Sequence, residues 1–367
     1  MTVVIAIVVF LVLLSVLVLV HELGHFLAAR LFGIKVKEFG LGLPPRLVGK
    51  KKGETIYSLN LIPLGGFVSL LGEDDQENRG KGSFGSVNRL KRLIVLIAGV
   101  AMNFLLGLLV FTVIYVRGVD VPTGSILIAK VLPNTPASVA GIHDGDVVVS
   151  AGGKSMHSFA DFQDQTKANL GKPLVVVISR NGMDRELTVT PRENAPAGQG
   201  ALGVVLDQQT VKKTFPFYQA PVEGTKQAIY ITGQMISFIG GIAHDLVLGK
   251  TQAADQVAGP VGIAYVTYQG IQLGPDFVWQ LLGLLSLNLA IVNLLPIPAL
   301  DGGRIFFVLL SSALRRDFYP KLEGYIHRFG LLAILLLFVL ITYNDIQRIV
   351  ISTSLGGKLH EIFKFIP

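Results

Sequence analysis

The chain has no cysteine. Disulfides, cysteine-bearing zinc sites and thiol nucleophiles are therefore excluded. Charge is scarce as well: 16% of the 367 residues are Asp, Glu, Lys or Arg, against roughly 25% in ordinary soluble domains. That shortfall, with a mean hydropathy of +0.57, argues against a wholly soluble protein. Disorder is excluded as the main state, since there is ample apolar surface to bury. What remains is length enough for two or three domains of roughly 100–200 residues, a net charge of +7, and long uncharged runs.

Residues 3–20 are apolar except for Ser15. The run continues past His21 into helix-compatible sequence ending near Arg30. At about 1.5 Å per residue such a helix crosses a hydrocarbon core of roughly 30 Å. No basic region precedes it and no A-x-A site follows, so a cleaved leader is not expected. A second run covers 93–116. A third, 277–300, meets Asp301 and Arg304 before apolar sequence resumes at 305–314, and a fourth covers 329–344. The expectation is a polytopic α-helical membrane protein with four spans at 3–29, 93–116, 277–310 and 329–346. Residues 227–248 carry Gln234, His244 and Asp245 and read as a helix lying on or partly in the membrane.

Loop 30–92 holds twelve Lys and Arg against six Asp and Glu. Loop 311–328 holds Arg315, Arg316, Lys321 and Arg328 against Asp317 and Glu323. With four spans both loops fall on one side, and the positive charge puts that side in the cytoplasm. The N-terminus and residues 117–276 are then outside. Within that region short β-rich runs recur at 126–132, 146–150, 174–179 and 185–190, with turn signals between them and a helix expected at 158–169. The inside loop reads as a membrane-associated β-hairpin at 53–71, where 55–61 alternates; its edge could accept an extended chain. Residues 74–85 are polar and glycine-rich and read as a mobile loop. The organisation expected is 1–116 as the first half of a core, 117–205 as an inserted domain, 206–276 as linker and surface helix, 277–350 as the second half, and 351–367 as a tail.

His21-Glu22-Leu23-Gly24-His25 carries the chemistry. On a helix, residues four apart share a face, so both imidazoles reach one metal ion. Glu22, about 100 degrees around, is placed to touch a reacting water. This is the spacing of two zinc ligands and a general base. Three ionisable groups in five membrane positions need compensation, and a divalent cation supplies it. Zinc needs a third protein ligand. His143 and His157 lie in the outside domain, His244 and His327 lie outside the firm spans, and His360 is near the terminus. Asp301 is the better candidate: Pro296 and Pro298 break the helix before it, and Gly302-Gly303 permits close approach. A purely structural Asp301–Arg304 pair is the rival reading.

Taken together, these motifs resemble the site-2 protease family of intramembrane zinc metalloproteases, in particular its RseP-like bacterial group. The resemblance runs nearly end to end. It rests on His21 to His25, on the stretch 293–303 with Leu300-Asp301-Gly302, on Gly259-Pro260-Val261-Gly262-Ile263 and on Gly65-Gly66-Phe67. Residues 133–142, Asp144-Gly145-Asp146-Val147-Val148 and Gly152-Gly153 resemble a PDZ domain. The resemblance implies a metalloprotease core with an extracytoplasmic PDZ-like insertion, Zn2+ on His21, His25 and Asp301, Glu22 as catalytic acid/base, and Asn293 helping to hold the substrate chain or oxyanion. It implies regulated intramembrane proteolysis of single-span proteins, such as anti-sigma factors or remnant signal peptides, in the bacterial inner membrane with the active site toward the cytoplasm. Expected partners are those substrates, membrane lipid, and extended peptides or chain termini at the PDZ-like domain; no nucleic-acid partner is expected. Two departures stand out: there is room for one PDZ-like domain where longer members have two, and Arg304 stands where many relatives have His. The rival functions are an inactive membrane scaffold that recruits peptides and a transporter, the latter lacking inverted repeats.

Overall fold

The structure, a computed structural model, describes residues 2–73, 80–156, 158–196, 199–249, 258–315 and 320–355. Expectations that fall on 74–79, His157, Arg316, Asp317, His360 and the 356–367 part of the tail lie outside those residues. Two compact units emerge: Met1–Val116 with Pro216–Pro367, and Arg117–Phe215.

The first unit opens with α1 (Thr2–Leu31), β1 (Val36–Lys52), β2 (Thr55–Leu70) and α2 (Arg89–Arg117). The two strands form a folded sheet larger than the 53–71 hairpin expected. Residues 36–41 of β1 pair with 66–70 of β2, and residues 38–41 pair a second time, with 56–59. Residues 46–52 return along 55–60. The segment 66–70 of β2 thus forms one border of this sheet. It runs beside α1: a Cβ on Gly66 would lie 3.4 Å from Val18 Cγ1 and 3.8 Å from Glu22 Cγ.

The second unit contains β3 (Val119–Val131), α3 (Pro136–Val139), β4 (Val147–Ala151), β5 (Lys154–Ser155), α4 (Phe159–Ala168), β6 (Leu174–Arg180), β7 (Met183–Val189) and β8 (Val204–Lys213). Its sheet order is β7-β6-β4-β3-β8, with β5 on β4. Alternating residues of these strands, among them Ile126, Ile128, Val148, Val176 and Ile178, close with Phe162 of α4 into one core. Thr135 and Ser158 cap α3 and α4 by accepting from the amides of Ser138 and Asp161. Asn134, Gly141 and Gly145 have positive φ at the turns before and after α3. The expected end at residue 205 falls short, because β8 pairs along β3 as far as Lys213. The polar stretch 207–213 hid that strand.

The first unit resumes with α5 (Ala220–Val247), α6 (Pro260–Leu273), α7 (Pro275–Leu294), α8 (Asp301–Ala313) and α9 (Pro320–Leu355). Four of the described helices are long and apolar enough to cross a membrane: Val4–Leu31, Arg89–Arg117, Pro275–Leu294 and Leu322–Val350. The apolar run expected as one bent span at 277–310 is two helices, α7 and α8, joined by the non-helical residues 295–300. Pro296 and Pro298 bring no amide to a helical ladder, and the Ile297 amide turns back to Leu295 O at 2.7 Å. Small residues bring α1, α2 and α7 together, as membrane helices require. A Cβ on Gly24 would strike Ala98 O at 2.2 Å, and one on Gly107 would strike Leu287 Cδ2 at 2.6 Å.

Candidate metal centre

On α1, His21 and His25 lie one turn apart, both buried, with their Nε2 atoms 3.2 Å from each other. α8 begins at Asp301, whose Oδ2 stands 2.9 Å from His21 Nε2 and 3.2 Å from His25 Nε2. One ligand atom from each of the three lies within 4.8 Å of the others. Ligands about 2.0 Å from a tetrahedral zinc are roughly 3.3 Å apart, so the triad is close to the size of a zinc site. Asp301 Oδ2 is buried with no hydrogen-bond partner among the described atoms. Lone pairs of two neutral imidazoles and a carboxylate aimed at one point repel each other, and a cation there relieves the repulsion. The donor set therefore fits a zinc ion.

The remaining ring nitrogens set the tautomers. His25 Nδ1 is 2.8 Å from Val95 O, so it carries the proton and leaves Nε2 free to ligate. His21 Nδ1 lies 3.3 Å from the side-chain amide of fully buried Asn103. The ligating tautomer requires the amide oxygen to face Nδ1–H. That orientation also gives Asn103 Oδ1, otherwise buried without a partner, its hydrogen bond. α2 makes room as well: a Cβ on Gly99 would lie 2.3 Å from His25 Nε2 and 2.9 Å from His21 Cε1.

Glu22 follows His21 on the same helix, under β2, and its carboxylate faces the Val68 amide. Asn293, in the last turn of α7, has Nδ2 3.4 Å from His21 Nε2. All five residues singled out from sequence are thus gathered at one place. The other described histidines are elsewhere: His143 lies in the second unit, His244 is exposed beside Asp245, and His327 Nδ1 accepts from the Ala299 amide at 2.9 Å. Arg304 pairs with Glu73 rather than with Asp301, so the structure does not carry the rival ion pair. Gly99, Asn103 and the Val95 carbonyl were not singled out from sequence. Their one signal was Asn103, a polar residue inside an otherwise apolar span.

A family model described as peptidase family M50 matches residues 9–337. A protein of Clostridium perfringens, provisionally named a zinc metalloprotease, is 34% identical over 90% of this chain and 96% of its own. The zinc metalloprotease RasP of Geobacillus kaustophilus is 29% identical over 92% of this chain and 97% of its own. Among solved structures, the PDZ domain of an SdrC-like protein from Listeria monocytogenes is 18% identical over 24% of this chain and 93% of its own, with a TM-score of 0.21.

Proposed function

The chain belongs to peptidase family M50, and from that premise we propose a division of labour among its residues as an intramembrane zinc endopeptidase. His21, His25 and Asp301 hold the metal, and their convergence is the observation that carries the reading. Zinc bound there supplies Lewis-acid polarisation of a peptide carbonyl and acidifies water. Glu22 takes a proton from the attacking water on its carboxylate and delivers it to the leaving amine nitrogen. Asn293 Nδ2 donates to the carbonyl oxygen as negative charge develops on it.

A helical substrate exposes no free backbone groups, so it must unwind at the site. The 66–70 border of β2 is the surface on which an extended chain pairs. Its Val68 amide faces Glu22, and its Leu70 amide donates to Glu73 Oε2 at 3.3 Å. Both amides thus meet carboxylates outside the strand pairing, and the Val68 amide does so on the catalytic helix. The substrates are single-span membrane proteins, with anti-sigma factors and remnant signal peptides as the classes that the sequence resemblance implies. Residues 117–215 act as a PDZ-like domain. β8 ends the sheet order, and its outer side is where a peptide or chain terminus adds. The basic loops favour the cytoplasmic membrane, with the N-terminus and the PDZ-like domain outside and the metal site toward the cytoplasm.

The test is cleavage of a single-span substrate by the full chain in lipid vesicles, with products mapped and Glu22→Gln as control. The wild type is expected to carry about one zinc per chain and to cut within or beside the substrate's span. Glu22→Gln is expected to keep the metal and lose at least about a hundredfold in rate. Peptide binding without metal or cleavage would replace this reading with the scaffold.

A further inference from the structure

We propose that His327, on α9, is a positioning residue for Asp301, acting through the backbone of Ala299. The inference rests on the reading of Asp301 as a metal ligand. It begins with the amides of residues 295–300. Pro296 and Pro298 have none. Leu295 donates to Val292 O, Ile297 to Leu295 O and Leu300 to Ile297 O, all local. The amide of Ala299 alone among these bonds to a residue distant in sequence, His327, at Nδ1 and 2.9 Å. The bond is part-buried, where an amide left without a partner is costly, so it ties the path of the segment to α9.

Ala299 also has φ of +74°, in the left-handed region that a residue with a Cβ rarely adopts without support. Two residues later Asp301 opens α8. The segment is wrapped tightly on that first turn. A Cβ on Gly302 would lie 2.0 Å from Leu295 O, and one on Gly303 would lie 2.5 Å from Ile297 O. The segment's path and the place of the Asp301 carboxylate are therefore one variable. α9 presents a matching socket: three residues beyond His327, a Cβ on Gly330 would lie 2.3 Å from Pro298 Cβ.

The imidazole has one polar task. Accepting at Nδ1 places its proton on Nε2, which is buried with no hydrogen-bond partner. The ring is tilted against Phe307, its centroid 5.6 Å away. His327 is thus neither a metal ligand nor a link in a proton relay. It is an acceptor that holds a strained turn so that Asp301 meets the two imidazoles of α1.

The experiment compares the full chain with His327→Phe, which keeps the ring's bulk and removes the acceptor, and with His327→Asn, whose carbonyl oxygen restores one. Zinc affinity is read by competition with a chromogenic chelator, Co2+ loading by its ligand-field spectrum, and cleavage as kcat and KM separately. Loss of a residue that orients a ligand is expected to weaken metal binding about 10–100-fold. His327→Phe should show that loss, a changed Co2+ spectrum, and a lower kcat with KM unchanged; His327→Asn should recover most of it. If His327→Phe does not fold, His327→Asn against Gly330→Ala, which pushes on Pro298 directly, decides: the first should bind zinc nearly as the wild type does and the second should not. Wild-type zinc affinity and kcat in His327→Phe would overturn the proposal, as would an Asn variant no better than Phe or, in the fallback pair, no better than Gly330→Ala. A wild type that binds no zinc would overturn the reading of Asp301 itself, a distinguishable result.

Discussion

Gly99 faces the two histidines from α2, and the space it leaves is used by both rings. Gly99→Ala should favour the helix locally and still be damaging, because its methyl would displace His25 Nε2 from the point on which the three side chains converge. The expected result is a zinc-to-protein ratio well below one, near-total loss of cleavage, and unchanged helical circular dichroism. The histidines and Glu22 were legible in the sequence because a spacing of four on a helix is a chemical statement in itself. Asp301 was legible because a carboxylate amid apolar sequence demands a reason. Gly99 was not, since a glycine in a membrane helix signals close packing without saying what packs there. Asn103 gave a signal as a polar residue in an apolar span, but not a partner, because His21 lies on a helix that only the fold brings near.

At the level of elements, the sheet was half legible. The alternation of 55–61 announced a strand. Gly40, Gly42, Pro44, Pro45 and Gly49 punctuate 36–52, so that its pairing partner did not read as a strand at all. The break between α7 and α8 was legible, since two prolines cannot both be accommodated in a helical ladder. The partner of Arg304 was not, because Glu73 lies at the far end of β2. If an extended substrate pairs with 66–70, Val68→Pro removes an outward amide. Turnover should fall about three- to tenfold, as for one lost hydrogen bond to substrate or to Glu22, which the same amide faces, while zinc content stays at the wild-type value. Cleavage assays and metal analysis on the same preparation check it. Undiminished turnover in a folded variant would mean that substrate pairs elsewhere.

Across the whole chain, composition announced the four apolar helices and turn chemistry announced most of the second sheet. β8 escaped, being too polar to read as a strand until β3 supplied its partner. That unit carries an acid-sensitive joint. Asp146 is buried, which alone would raise its pKa, but both oxygens receive the Arg180 guanidinium at 2.7 Å and Oδ2 also receives the His143 amide. The net effect holds its carboxyl below the usual carboxylate value and raises the Arg180 guanidinium. A carboxylate with a lowered folded pKa contributes stability that is complete above the unfolded value of about 3.9 and is lost as pH falls through the folded one. Hydrogen exchange of residues 117–215 in the intact protein should therefore show protection flat near neutrality and declining below about pH 4. In Asp146→Asn the decline should be shallower and start from a lower plateau.

His21 and Asn293 are 272 positions apart, and Asp301 is made later still. Until α8 has been made, the first helix carries two imidazoles and an acid with nothing to complete them. A chain translated no further than that is therefore inert toward its own unfinished spans. It becomes a hydrolase only when the last third of the polypeptide arrives.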